Sequence, residues 1–208
     1  MDLQGGHLDT GLTGTYFMMK LLTQTGRNDL VFTMANQTTY PSYGYFLEQG
    51  YTTWPERWEA KKGVSKIHGC YNGIGLWFLQ GIAGITVDAA NKEFPVTVRA
   101  GIDAGELTWA RGGRAALAGR VESSWSLGAA GFEHNVTVPV GAVAKVMLPG
   151  ASAAELTEAG APLSAAGSVV TVIGSEDVNG IPYVSLRVLS GGYRFGSSWT
   201  RPASRAVV

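Results

Sequence analysis

The sequence predicts a helical arc followed by an antiparallel β-sandwich, and two changes in its apolar spacing carry that reading. Up to about residue 88, apolar residues recur three and four apart between Gly and Asn stops, the period of a helix face. Beyond it they alternate with polar residues in short runs, separated by Gly, Pro and Asn-Gly turns, which is the period of a half-buried strand. The chain therefore divides into residues 1–88 and 89–208. Short paired helices whose connecting loops carry aromatic and acidic residues predict an α/α toroid with its chemistry at the mouth. Only about four helices are visible, too few to close a ring, so residues 1–88 read as the last arc of a larger barrel.

Along the first part, Thr10 is placed to cap a helix over 11–25 with Phe17, Met18, Leu21 and Leu22 on one stripe, and Gly26 stops it. Asn28 opens a second run with Leu30, Val31, Met34 and Ala35 at the same spacing. So short a connection makes the two a helical hairpin. Pro41 and Ser42 start a short helix that Gly50 ends. From 72 to 85, Ile74, Trp77, Phe78, Gly81, Ile82 and Ile85 return to helical spacing, which places Trp77 in a core stripe.

Strands follow. Val96, Val98 and Ala100, then Val121, Ser123, Trp125 and Leu127, then Phe132, His134, Val136 and Val138, then Ala142, Ala144, Val146 and Leu148, and finally Val184, Leu186 and Val188 each mark one face of a strand. Many short strands at near-regular spacing predict the sandwich. The Ala-rich stretch 150–168 reads as a surface excursion with one helical turn near 153–158, and the tail from about 197 reads as frayed.

Composition narrows the partners. Sixteen basic and sixteen acidic residues cancel, so nothing draws the chain to nucleic acid or to an anionic membrane. A neutral chain with 29 glycines and many aromatic residues suits a carbohydrate or another small molecule better. Cys70, the single cysteine, excludes an internal disulfide and a thiolate cage. No apolar run is long enough to span a bilayer, and the first residues lack the pattern of a secretory signal. His7, Asp9 and His68 have no ligand-type spacing, so no metal is expected, and nothing points to a cofactor.

One stretch carries chemistry: Tyr51-Thr52-Thr53-Trp54-Pro55-Glu56-Arg57-Trp58, with His68 further on in Ser65-Lys66-Ile67-His68-Gly69-Cys70-Tyr71. A carboxylate between indoles in a Gly- and Pro-bounded loop is the arrangement a site uses on a glycosidic bond. Indoles wall the apolar faces of sugar rings and shed water from the carboxylate, which strengthens it as a base. The plainer alternative makes Trp54 and Trp58 half-buried loop anchors, Glu56 a surface charge paired with Arg57 or Lys61, and His68 a capping residue.

Four strings in order tip the balance: His7-Leu8-Asp9-Thr10-Gly11-Leu12-Thr13-Gly14-Thr15; Gln37-Thr38-Thr39-Tyr40-Pro41-Ser42-Tyr43-Gly44-Tyr45; Thr52-Thr53 with Glu56-Arg57-Trp58; and Ser65 with His68, Trp77 and Phe78. Together they resemble the C-terminal part of the bacterial α-L-rhamnosidases of glycoside hydrolase family 78. The resemblance implies the end of an (α/α)6 six-hairpin barrel followed by a small β-domain. It implies an inverting hydrolysis of terminal α-L-rhamnosyl linkages in which Glu56 is the general base, His68 lines the sugar subsite, and Trp58 and Trp54 wall it. It implies as partner a rhamnose-terminated glycoside, and a general acid in barrel segments upstream that are missing from this chain.

The chain departs from the family pattern in Trp54-Pro55, where members commonly carry an aliphatic residue and then tryptophan, and in a short segment between Glu56 and His68. It thus reads as a C-terminal fragment, inactive or nearly so alone. Two other readings stay open: a non-catalytic carbohydrate-binding module held by Trp54, Trp58 and His68, and another glycosidase or a lyase on a toroid scaffold.

Overall fold

The computed structural model describes residues 5–60 and 63–202. The chain forms two compact units, Met1–Gly81 with Asp103–Gly105, and Ile82–Ile102 with Glu106–Val208. Among the described residues no helix is long and apolar enough to cross a membrane.

The first unit holds α1 (Leu12–Gln24), α2 (Asn28–Ala35), α3 (Tyr43–Glu48) and α4 (Gly73–Trp77). Gly26, at φ 72°, closes α1 in the left-handed conformation that glycine adopts without strain, and the Arg27 N–H bonds Leu22 O at 2.8 Å. The start of α1 differs from expectation. Its cap is Gly11 with no side-chain bond, while the Thr10 hydroxyl meets that of Thr15 at 2.9 Å. The buried stripe is also rotated: Thr15, Met19, Leu22 and Thr23 face inward, while Phe17 and Leu21 are about 60 % exposed. The helix is apolar on more than one side, so spacing alone did not select the inner face.

Asn28 opens α2 as its first residue rather than as a cap. Its side chain is spent on tertiary bonds, accepting from Trp77 Nε1 at 3.0 Å and donating to Asp103 Oδ1 at 2.9 Å. Ser42 caps α3 as expected, accepting from the Tyr45 N–H at 3.0 Å and donating to Gln37 O and Thr39 O. Gly44 is obligatory there, because a Cβ would lie 2.2 Å from Gln37 O.

The expected helix over 72–85 is shorter. A 3-10 turn (Gly69–Asn72) leads into α4, which relaxes into a π-helical turn over Phe78–Ile82. Gly84, at φ 79° with its missing Cβ 2.0 Å from Arg99 O, then turns the chain into a strand, so Ile85 belongs to the β-unit. Trp77 is buried core, as its stripe predicted.

The second unit contains β1 (Ile85–Val87), β2 (Val96–Arg99), β3 (Trp109–Ala116), β4 (Gly119–Gly128), β5 (Gly131–Val138), β6 (Ala144–Pro149), β7 (Leu156–Glu158), β8 (Ala161–Pro162), β9 (Val170–Val178), β10 (Ile181–Val188) and β11 (Gly191–Ser197). They form a five-stranded sheet in the order β1-β2-β6-β10-β9 and a six-stranded sheet in the order β3-β4-β5-β11-β7-β8. Every pairing is antiparallel except β2 with β6.

In β4 and β5 the alternation read from sequence is the alternation of burial, whereas in β10 Ser185, expected to face outward, is buried beside Val184 and Leu186. Val121, Ser123, Trp125 and Leu127 of β4 and Phe132, His134, Val136 and Val138 of β5 all point inward. Trp125 satisfies its indole by donating to Ile82 O at 2.8 Å. Asn179-Gly180 makes the tight β9–β10 hairpin, both residues at positive φ.

The Ala-rich stretch is more ordered than expected. Its helical turn covers Ala153–Glu155 and is followed by β7 and β8, the first paired with β11 through Phe195 and Glu158. Buried Leu156 anchors this addition to the core. The segment after β11 is likewise held, because Arg201 donates to Ile102 O (2.9 Å) and Leu107 O (2.6 Å). The expected fraying from 197 thus fails up to 202, and the rest of the tail lies outside the described residues.

Candidate active site

The Trp/Glu loop is built on an aromatic cluster. The Tyr43 ring meets Trp54 edge-on at 5.2 Å and Trp58 at 5.4 Å, Phe46 stacks on Trp58 at 5.1 Å, and Tyr71 lies 4.0 Å from Trp58. Such contacts add to plain area burial and fix ring orientations. The Tyr43 hydroxyl donates to Tyr71 O at 2.9 Å, and burial raises its pKa well above the ordinary phenol value, so it stays a neutral hydroxyl. Trp58 Nε1 donates to Thr10 O at 2.8 Å and ties the loop to the start of α1. The first and third sequence strings therefore meet in space.

Two segments of the loop are clasped to each other. The Glu56 N–H bonds Ser65 O at 2.9 Å and the His68 N–H bonds Trp54 O at 2.9 Å, while Thr53 Oγ1 donates to Lys66 O at 2.5 Å. Residues 53–56 and 65–68 thus run side by side. Glu56 is half-buried, and its Oε2 faces the Ser65 N–H at 3.4 Å. That distance is at the weak end of a hydrogen bond, so the carboxylate keeps most of its acceptor capacity.

His68 is half-buried and makes no side-chain cap bond to the turn that follows it, which removes its capping reading. Lys66, next to it, reaches Tyr51 Oη at 3.3 Å and sits 5.1 Å over that ring, which holds the base of the clasp.

The two indoles differ. Trp54 is half-buried, with Tyr43 and Phe46 against its ring. Trp58 is only 7 % exposed and spends its ring on Phe46, Tyr43 and Tyr71, leaving little face for a ligand. Its setting is that of a core residue beneath the loop. Asp9 and Glu48 are exposed. Lys61, one suggested partner of Glu56, lies outside the described residues, as does the side chain of Cys70.

Sequence reasoning did not single out Thr53, Tyr43 or Tyr71 as the parts that position the site. The Thr-Thr pair and the alternating tyrosines of the second string were the available signals. Among the described residues no group of three or more His, Cys, Asp or Glu is arranged to hold a metal.

Comparison with known proteins points the same way. Residues 1–82 match the family model of the bacterial alpha-L-rhamnosidase 6 hairpin glycosidase domain, and residues 81–161 match that of the bacterial alpha-L-rhamnosidase C-terminal domain. An alpha-L-rhamnosidase of Streptomyces avermitilis is 34 % identical over 159 residues, covering 72 % of this chain, and one of Alteromonas sp. is 32 % identical over 155 residues, covering 69 %. The chain spans only 15 % and 16 % of the lengths of those two relatives.

Among solved structures, the S. avermitilis alpha-L-rhamnosidase complexed with L-rhamnose superposes with a TM-score of 0.77 at 30 % identity, covering 92 % of this chain and 18 % of that one. The enzyme of Dictyoglumus thermophilum superposes at 0.78 and 28 % identity, covering 93 % and 21 %. With two consecutive domain models taking in residues 1–161, the chain belongs to the bacterial α-L-rhamnosidase family.

Proposed function

We propose that this chain supplies the general-base side of the active site of an inverting α-L-rhamnosidase acting on rhamnose-terminated glycosides. Glu56 is the base. It takes a proton from a water that attacks the anomeric carbon as the glycosidic bond breaks on the opposite face. His68 offers a ring nitrogen to a sugar hydroxyl, and the half-buried Trp54 walls the apolar face of the ring. Trp58, buried below, sets the height of the loop instead of touching sugar. The observation that supports this reading is the clasp between 53–56 and 65–68, which brings the backbone segments carrying Glu56 and His68 side by side above the aromatic cluster.

The general acid is a carboxyl group from elsewhere in the barrel, set ~6.5–9.5 Å from the base so that a water fits between them. Two observations support a larger helical assembly around α1: Tyr16, Phe17 and Leu21 leave an apolar helix face exposed, and the relatives are several times longer.

Proton NMR of the first product from an aryl α-L-rhamnoside tests the mechanism, using the protein with its complete barrel. Inversion releases β-L-rhamnose before mutarotation. If α-L-rhamnose appears first, the reaction retains configuration and no general base of this kind exists.

A further inference from the structure

The outward face of the six-stranded sheet carries a second feature, independent of Glu56. Strand pairing sets a row across it: Arg111 on β3 lies opposite Ser124 on β4, Ser124 opposite Asn135 on β5, and Asn135 opposite Arg194 on β11. Alternate residues of a strand share a face, so this row stands on the side away from the buried Ser123, Trp125 and His134. Trp109, two residues before Arg111 on the same strand, shares the outward face and is 65 % exposed.

Glycine lowers the floor beside the row. A Cβ on Gly113 would strike the Arg120 guanidinium at 2.4 Å, which lies across β3 there, and around Gly192 there is open space. The result is an open depression of about 770 Å³. From Arg111 to Arg194 is three strand steps, ~14 Å at ~4.8 Å each.

The charges are unevenly spent. Glu122 is taken by Arg120 at 3.1 Å, and Glu158, which also lines the depression, makes only a weak 3.4 Å contact with the Arg194 backbone N–H, so among the described residues three arginines face one unpaired carboxylate there. Arg111 and Arg194, both exposed, form no ion pair among the described residues. Trp109, Ser126 and Glu133 form the neighbouring row, at the margin of the depression and not in its lining, with Trp109 at the β3 end of that row and Glu133 two strands away.

We propose that this face binds an acidic oligosaccharide, a chain containing uronate residues laid across the strands. The exposed indole of Trp109 receives the apolar face of one sugar ring. Ser124 and Asn135 exchange hydrogen bonds with hydroxyl groups, and the forked guanidinium groups of Arg111 and Arg194 receive carboxylates at either end. A bare anion would satisfy one arginine but would not need the tryptophan, and a neutral sugar would leave both arginines unused.

Titration of the chain with trigalacturonate, followed by calorimetry and by backbone amide shifts, tests this. Saturable binding is expected, with shifts on β3, β4, β5 and β11. Trp109→Ala and the double change Arg111→Ala/Arg194→Ala are each expected to weaken it about tenfold or more, the scale of a lost stacking or charge-assisted contact. Cellotriose should bind more weakly by a similar factor, and Trp109→Phe should recover most of the loss. All three side chains are exposed, and an unchanged melting temperature checks that the variants fold.

Three results would overturn the proposal. One is the absence of saturable shifts in the millimolar range, and another is binding that both variants leave intact. The third is inorganic phosphate producing the same shifts and displacing the trimer at equal concentration, which would reduce the face to a general anion patch.

Discussion

His134 is fully buried in β5, with Nε2 at 2.9 Å from Ser123 Oγ. Because that hydroxyl donates to Ala83 O at 2.7 Å, the imidazole must be the donor to it, which leaves Nδ1 bare and without a partner among the described residues. Burial pushes the His134 pKa down to about 3 from its ordinary 6.5. The unfolded chain then takes up a proton that the folded one refuses. Stability is complete above pH 6.5 and falls as the pH drops from there towards 3. Urea denaturation should show the β-unit losing about 2 kcal/mol between pH 7 and pH 5, and His134→Leu should remove most of that slope.

Asn28 poses a similar accounting problem in the helical unit. Asn28→Leu removes the bond from Trp77 Nε1 and the bond to Asp103 Oδ1, and chemical denaturation should register a loss of ~1–3 kcal/mol. In the sequence Asn28 was visible only as a helix start. Its real role depends on Asp103, 75 positions away, which no local pattern reveals.

At the scale of elements, β4 and β5 were legible because each buries one face, so a period of two in the sequence becomes a period of two in burial, whereas β6 and β10 bury neighbouring residues on both faces. The helices were less so. α1 carries apolar residues around much of its circumference, and only tertiary structure selects Met19 and Leu22 over Phe17 and Leu21 as its inner face. β7 and β8 escaped notice because strands of three and two residues show no alternation to count.

The candidate loop falls between these cases. Its residues could be named from the order of the strings, but the clasp of 53–56 on 65–68 is a backbone feature with no side-chain signature. Its two indoles should separate in experiment. Trp58→Ala removes the centre of the aromatic cluster and should cost ~3–5 kcal/mol, seen as a lowered melting temperature and a lost near-ultraviolet signal. Trp54→Ala, at a half-buried ring, should cost less and act mainly by raising KM for a rhamnoside.

At the scale of the whole molecule, the chain joins the end of a six-hairpin glycosidase domain to a C-terminal β-domain and spans about a sixth of its curated relatives. Hydrolysis by inversion needs two carboxyl groups on opposite sides of the sugar, and the role proposed for Glu56 covers only the water side. The 208-residue chain alone should therefore show little or no turnover of an aryl α-L-rhamnoside, and joining it to the remaining barrel should restore it.

The central claim is that Glu56 activates the water, and Glu56→Gln in the complete protein tests it most directly, since the change removes the base and keeps the shape. The account predicts a fall in kcat of ~10²–10⁴-fold with KM little altered. Wild-type kcat in that variant would contradict it.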